Sequence, residues 1–281
     1  MLMIDNWDVV RALREIPDAL ERARAAEKVW KQREGVTQVR DEAINELLAS
    51  GRMNQKAVRE ELGISKALIS QIAKKGPGPE RTFLGTGALT VALGGKVEAK
   101  DERPGPVVAQ EDLLAYEHLR WLANRLGLEA EFEVIQPPGN VLLNRDNLIV
   151  ICGPRLSPLI GQILESDPHL SFERDDDGWF LTDRTTGTSY RSPMDQDEPR
   201  DIAYFGRLPR PDGQGTFLYI AGIHAPGAPG VVHWLTTELP NIYGELKLRR
   251  FSTLIASEFD PQTREVVSSE RITPYYRPDG A

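Results

Sequence analysis

Residues 147–165, NLIVICGPRLSPLIGQILE, contain a strand, a turn and a helix in immediate succession. The apolar run NLIVIC predicts a buried strand, and Gly153 supplies the turn that follows it. The run SPLIGQILE predicts a helix that begins at Ser157 and has Pro158 at its first position. This segment therefore predicts the strand-turn-helix unit of an α/β domain.

The remainder of residues 83–281 continues this alternation of apolar strands and helices. The predicted helices are EDLLAYEHLRWLANRLG and the stretch from Val231 to Leu246, and EFEVI, DIAYFGRL and TFLYIAGI are among the predicted strands. Between Leu170 and Arg191, turn signals at Asp177-Gly178 and Thr186-Gly187 predict an antiparallel hairpin. We therefore expect a Rossmann-like three-layer α/β domain with an antiparallel hairpin insertion.

The chain before Phe83 has a different character and predicts a separate helical domain. Residues 76–82 (GPGPERT) open with two Gly and two Pro in four residues, which predicts a linker. Residues 1–75 then form the first domain, with helices expected over 7–33 and over 36–50. The long helix over 7–33 fits either a dimerisation arm or a helix that packs on its own domain.

Charge is distributed unevenly over a protein whose formal net charge is −8. Residues 1–81 contain 15 Lys and Arg against 13 Asp and Glu, whereas residues 82–281 contain 19 against 29. Residues 52–75 contain six basic and two acidic side chains, so the positive charge is local. This pattern excludes a protein that coats nucleic acid with its whole surface, but it is compatible with a small nucleic-acid-binding module.

The composition and the first residues predict a cytoplasmic protein. A hydrophobic content of 40% is typical of a globular fold, and the single cysteine, Cys152, suits a reducing compartment. Residues 1–7 lack the pattern of a secretion signal, and no stretch approaches the roughly 18 apolar residues that a membrane span needs. We therefore expect no association with a membrane.

Residues 54–75, NQKAVREELGISKALISQIAKK, have the pattern of two short helices joined by a tight turn. Gly63 marks the turn, and Ser65 is placed to cap the second helix. The apolar side chains expected to pack the two helices together are Leu62, Ile64, Ile69 and Ile72. This spacing predicts a helix-turn-helix, although an ordinary helical hairpin with a polar surface would share much of it.

The segment resembles the helix-turn-helix of the Cro and repressor family and of sigma-factor region four. The match lies at Leu62-Gly63-Ile64-Ser65, Ile69 and Ile72 and covers about 25 residues. Arg59 departs from it, because the family has a small Ala in the first helix. The positional match and the local basic charge predict a DNA-facing surface composed of Ser65, Lys66, Ala67, Ser70, Gln71, Lys74 and Lys75.

More loosely, the whole chain is similar to poorly characterised actinobacterial regulators. In these proteins a small helix-turn-helix is joined to a Rossmann-like domain through a segment like GPGPERTFLGTG. The resemblance implies an architecture more than an activity.

Three glycine-containing loops of the α/β domain are candidates for contact with a ligand. A strand, a glycine turn and a helix N-terminus can bind an anion, and open α/β sheets bind ligands at the carboxyl ends of their strands. The alternatives are turn glycines with a structural duty only and a His224 that is merely a polar surface residue. The predicted ligand-binding residues are Gly85, Gly87, Gly153, Arg155, Ser157, Gly222, His224 and Gly227.

The sequence assigns neither a cofactor nor a metal. It lacks a dinucleotide GxGxxG at these loops, a Walker loop, a GxSxG elbow and a zinc-spaced set of His and Cys. Glu117, beside His118 on a predicted amphipathic helix, is the candidate carboxylate if the chain is an enzyme, although such a pair is more often solvated surface.

Three functions remain open at this point. The first is a DNA-binding transcriptional regulator, expected as a homodimer on double-stranded DNA, whose α/β domain senses a small ligand, a nucleotide among the candidates, or a protein partner. The second is a nucleotide-processing enzyme, such as an N-glycosidase or hydrolase, with a recruiting helix-turn-helix. The third is an assembly module. We favour the regulator over the enzyme.

Overall fold

The computed structural model describes residues 40–41, 44–45, 47–48, 53–75, 80–98 and 105–278. The chain divides into two compact units, Met1–Gly76 and Pro77–Ala281. The helix predicted over 7–33 and most of the linker predicted over 76–82 lie outside the described residues, and the helix predicted over 36–50 lies only partly within them.

In the first unit, helix α1 spans Gln55–Leu62 and helix α2 spans Lys66–Lys75. The Asn54 side chain caps α1 by accepting a hydrogen bond from the Ala57 amide at 3.0 Å, and Gly63 ends α1 with a left-handed φ of 63°. The Ser65 hydroxyl accepts a hydrogen bond from the Leu68 amide at 3.1 Å and so caps α2. A small core holds the two helices, with the buried side chains Ile44, Val58, Ile69 and Ile72.

The second unit is an α/β unit with a mixed sheet. Its helices are α3 (Arg81–Leu84), α4 (Gln110–Arg125), α5 (Pro158–Leu164) and α6 (Gly227–Leu246). Its strands are β1 (Leu89–Val97), β2 (Pro106–Val108), β3 (Ala130–Ile135), β4 (Leu148–Ile151), β5 (Leu170–Asp175), β6 (Gly178–Asp183), β7 (Thr188–Arg191), β8 (Arg200–Pro209), β9 (Thr216–Gly222), β10 (Phe251–Phe259) and β11 (Val266–Arg271).

The main sheet has a parallel half and an antiparallel half. Strands β3, β1, β4 and β9 lie side by side and run parallel. Strands β8, β10 and β11 continue the sheet beyond β9, each antiparallel to its neighbour. The short β2 pairs antiparallel with the last residues of β1. The strand order therefore brings the ends of β1, β4 and β9 together, although long stretches of sequence separate them.

The two faces of this sheet are covered by different elements. Side chains of α4 and α6, among them Leu119 and Leu235, pack on one face against Val91 and Ile149. On the other face, α5 and the β5–β7 sheet pack against side chains such as Val150, Tyr204 and Tyr219. Apolar side chains thus point from both faces of the central strands, which explains the unbroken apolar run of β4.

The hairpin predicted between Leu170 and Arg191 is present and is part of a three-stranded antiparallel sheet, β5-β6-β7. Gly178 and Gly187 have positive φ angles of 123° and 73° at the predicted turns. The helix expected from Val231 begins earlier, at Gly227, whose amide donates a hydrogen bond to Asp201. No helix in the described part of the chain is long and apolar enough to span a bilayer.

Candidate ligand-binding cleft

A cleft that is open to solvent lies at the carboxyl ends of β1, β4 and β9. The chain leaves β1 towards α4 and β3 on one side, and it leaves β4 towards α5 and β9 on the other. A crevice forms where the connections of two parallel neighbours diverge in this way, and open α/β sheets bind ligands there. The side chains and backbone that give the cleft its chemistry are Lys96, Asp112, Cys152, Gly153, Arg155 and His224.

Asp112 is the acidic group of the cleft, in the first turn of α4. Burial raises the pKa of its carboxyl to about 7, against the opposing effect of the cation of Lys96 and, more weakly, that of Arg155. Glu111, next to it in the chain, raises this pKa further. Within the described residues, the Asp112 carboxylate accepts no hydrogen bond and forms no ion pair. Protonated and charged forms therefore both exist near neutral pH.

Cys152 follows β4 at the floor of the cleft and is buried. Burial, with the nearby charge of Asp112, raises the pKa of its thiol to about 12. The thiol lies 3.5 Å from the carbonyl oxygen of Gly153, to which it donates. Because the thiolate is the nucleophilic form, Cys152 does not provide a nucleophile at physiological pH.

The N-terminus of α6 borders the cleft, but a carboxylate of the protein already occupies it. Oδ2 of the fully buried Asp201, on β8, accepts hydrogen bonds from the backbone amides of His224 at 3.0 Å and Gly227 at 2.9 Å. Burial raises the pKa of Asp201 to about 6. The packing is tight, since a Cβ atom on Gly227 would lie 2.7 Å from Oδ2. These amides are therefore not available to an external anion.

His224 is held on two sides. Its backbone amide contacts Asp201, and its Nε2 lies 2.8 Å from Oδ1 of Asp195 in a 3₁₀ turn, Pro193–Gln196. The imidazole is about one-third exposed, with a side-chain exposure of 37%. The ring thus has a defined position at the edge of the cleft.

The structure brings two of the three predicted loops together. Gly153 and Arg155 from the second loop and Gly222 and His224 from the third all line the cleft. Ser157, also from the second loop, is buried and structural: it caps α5 and donates a 2.6 Å hydrogen bond to the carbonyl oxygen of Gly139.

The first loop lies elsewhere. Gly85 and Gly87 precede β1, and the Thr86 amide donates a 3.0 Å hydrogen bond to the side chain of Asn147, which precedes β4. The Gly85–Gly87 loop and Asn147 therefore both lie at the amino ends of parallel strands, which is the edge of the sheet opposite the cleft. These two glycines therefore do not join the other predicted ligand-binding residues.

Glu117, the candidate carboxylate of the enzyme hypothesis, is exposed on α4 and lies 3.8 Å from Arg120. It does not line the cleft, whereas Asp112, five residues earlier on the same helix, does. Sequence reasoning missed Asp112, Lys96 and Asp201. The sequence position of Asp112 could have indicated it, because Asp112 is at the start of a helix that follows a parallel strand, and such a helix begins at the carboxyl edge of the sheet.

In the first unit, the predicted DNA-facing side chains of Ser65, Lys66, Ala67 and Gln71 are exposed on α2 or just before it, and Ser70 is half-buried. Lys74 and Lys75 are the last two residues of this helix. Arg59, the departure from the family pattern, is half-buried on α1 and lies 3.6 Å from Glu60.

Among the residues that the structure describes, no group of three or more His, Cys, Asp or Glu side chains is placed to hold a metal ion. No protein family, no functionally described protein and no solved structure matches this chain.

Proposed function

We propose that this chain is a DNA-binding transcriptional regulator whose second unit, a Rossmann-like sensor, responds to a small ligand held in the cleft. The observation that carries the proposal is the exposed surface of α2. Lys66 is a side chain of the type that binds phosphate, and Gln71 is of the type that reads base edges. Both are exposed on α2, a short helix that is capped by Ser65. The local excess of basic over acidic residues across 52–75 supports the same assignment.

The cleft supports the sensing half of the proposal. It lies at a topological switch point, the usual ligand site of open α/β sheets, and its charged side chains come from different elements of the fold. A ligand in the cleft changes DNA binding only if it binds the DNA-competent and the incompetent states with different affinities. The proposal includes a cytoplasmic homodimer that binds a two-fold site, with half-sites about 34–36 Å apart.

A mobility-shift titration against fragments of the gene's own upstream region tests the DNA-binding half. Gln71→Ala should weaken specific binding about 10- to 100-fold and relax the preference at one base position. Lys66→Ala should weaken binding to all DNA sequences alike. It should also reduce the slope of log affinity against log salt concentration by about one, which corresponds to the release of one counterion fewer.

Arg174→Ala is the matched control, because it removes one exposed positive charge from the second unit. It should leave DNA binding unchanged. The absence of specific binding at moderate salt, or an equal loss in Arg174→Ala and Lys66→Ala, would contradict the assignment of α2 as the DNA-reading helix.

A nucleotide-processing enzyme, of the N-glycosidase or hydrolase type, is the second candidate, and one observation favours it. The cleft contains a carboxyl, Asp112, whose pKa of about 7 suits a general acid or base at neutral pH. In this version the acid–base group is Asp112 instead of Glu117. Release of nicotinamide from dinucleotides should then be abolished by Asp112→Asn and retained by Glu117→Gln, and a chain that turns over no nucleotide excludes the enzyme.

A further inference from the structure

The cleft contains two cationic side chains that form no close ion pair within the described residues, although both lie near enough to Asp112 to lower its pKa. Lys96 comes from the end of β1 and is half-buried, and Arg155 comes from the loop between β4 and α5 and is exposed. Neither forms an ion pair or a side-chain hydrogen bond with the rest of the described chain. This is unusual in a unit with 29 acidic and 19 basic residues over 82–281, where carboxylates are abundant. The cleft therefore presents positive charge to whatever enters it.

We propose that the cleft binds a small ligand through a phosphate-like dianion held by Lys96 and Arg155, and that Asp112 takes up a proton when this anion binds. The inference rests on the proposed function only in that the cleft is a ligand site, and it does not depend on DNA binding.

Two observations favour an anion over a cationic or neutral ligand. A phosphate-like group can accept charge-assisted hydrogen bonds from the two cations. The first turn of α4 also borders the cleft, and its N-cap residue, Ala109, has no side-chain group to satisfy the free amides of that turn. At α6, by contrast, Asp201 already accepts hydrogen bonds from the first amide of the helix and from the His224 amide just before it.

Asp112 provides the link to protons. A charged carboxylate beside a bound dianion would repel it, whereas a protonated carboxyl can donate a hydrogen bond to it. Burial has already raised the pKa of this carboxyl to about 7, so protonation near neutral pH requires little free energy. The charged and titratable groups around it are Lys96 at the end of β1, Cys152 just after β4, Arg155 from the next loop, His224 from the loop before α6 and Glu111 from its own helix.

Inorganic sulfate is the probe, because it remains a dianion over the whole range and cannot contribute a proton of its own. Equilibrium dialysis of the full chain with radiolabelled sulfate between pH 5.5 and 8.5 should show an affinity that falls roughly tenfold per pH unit above neutrality, as expected for uptake of one proton. Lys96→Met and Arg155→Met should each weaken binding at pH 6 by about tenfold or more.

Asp112→Asn is the decisive variant, since the amide has the shape of the protonated carboxyl and cannot ionise. It should bind sulfate at pH 8.5 about as well as the unaltered protein binds it at pH 6, with no dependence on pH. Glu117→Gln is the matched control, because it makes the same change in charge on the exposed face of α4, outside the cleft, and this variant should keep both the affinity and the pH dependence.

Competition identifies the source of the anion. Displacement of sulfate by inorganic phosphate alone indicates a site for the free ion. Displacement by ribose phosphate and AMP as well indicates a site for a phosphorylated metabolite. Either result supports binding of a phosphate-like dianion. Adenosine should not compete. Three results would overturn the inference. The first is that the chain binds no sulfate, the second is that Asp112→Asn keeps the pH dependence of binding, and the third is that adenosine competes as well as the phosphates do. None of these results bears on DNA binding, which the mobility-shift titration decides separately.

Discussion

The backbone amide of His224 donates a 3.0 Å hydrogen bond to Oδ2 of Asp201, a carboxylate that is fully buried. The same oxygen accepts from the first amide of α6, so a residue of β8 caps a helix that follows β9. Side-chain caps normally come from the residue just before a helix, and here that residue is Pro226, whose side chain has no acceptor.

Removal of this cap should be measurable as a loss of stability. Asp201→Ala leaves one buried and one partly buried amide without this acceptor, and we expect the free energy of unfolding in urea to fall by about 2–4 kcal/mol. Asp195→Ala removes the other contact of His224, a partly exposed pair, and should cost less than about 1 kcal/mol. Equal losses in the two variants would mean that Asp201 is not the cap of α6.

Asp112 should make the protein less stable as the pH rises. Its pKa is raised from 3.8 to about 7 in the folded chain, so the folded state holds more protons than the unfolded state between these values. The stabilisation by the proton is complete below pH 4 and is lost as the pH rises through 7.

Asp112→Asn should therefore flatten the stability profile measured by urea unfolding between pH 4.5 and 7.5, with a difference of roughly 2–4 kcal/mol over that range. Glu117→Gln makes the same change in charge on the exposed face of α4 and serves as the matched control. If stability depends on pH as steeply in Asp112→Asn as in the unaltered chain, Asp112 does not hold a proton in the folded state.

The thiol of Cys152 should be inert in the folded protein. It is buried and its pKa is about 12, so reaction with an aromatic disulfide reagent at pH 7.5 should be at least about 100-fold slower than in urea. Because the chain has one cysteine, the absorbance change reports this residue alone. Rapid modification without unfolding would show that the floor of the cleft is open.

Two glycine-to-alanine variants should have opposite effects. A Cβ atom on Gly222 would lie 1.9 Å from the carbonyl oxygen of His224, so Gly222→Ala should destabilise the chain by about 1–3 kcal/mol or more. Gly161 is inside α5, where an added Cβ atom would have no neighbour within 4 Å, and Gly161→Ala should stabilise by up to about 1 kcal/mol. Thermal unfolding of both variants distinguishes a steric requirement from a general effect of adding a methyl group.

The local features of this fold could be predicted from the sequence because their causes are local. Ser157 caps α5, and Gly178 and Gly187 form the turns of the hairpin, at positions where short-range rules apply. The convergence of Arg155 and His224 also follows from a simple rule about the carboxyl ends of strands.

The missed residues depend on which strands become neighbours. Lys96 and Asp112 reach the cleft because β1 lies between β3 and β4, an arrangement that no short stretch of sequence specifies. Sequence reasoning groups Gly85 and Gly87 with the other loops because a glycine turn looks the same at either end of a strand. Asp201 belongs to a strand that is antiparallel to β9, so only the folded sheet brings its carboxylate to α6.

The origin of that carboxylate in β8 sets a limit on how the cleft can be transplanted. A designer who grafted only β1, β4, β9 and their helices onto another scaffold would leave the first turn of α6 open and electropositive. The graft would then acquire an anion-binding position that this protein does not offer. A graft that reproduces the cleft must therefore include β8 from the antiparallel half of the sheet, even though no residue of β8 lines the cleft.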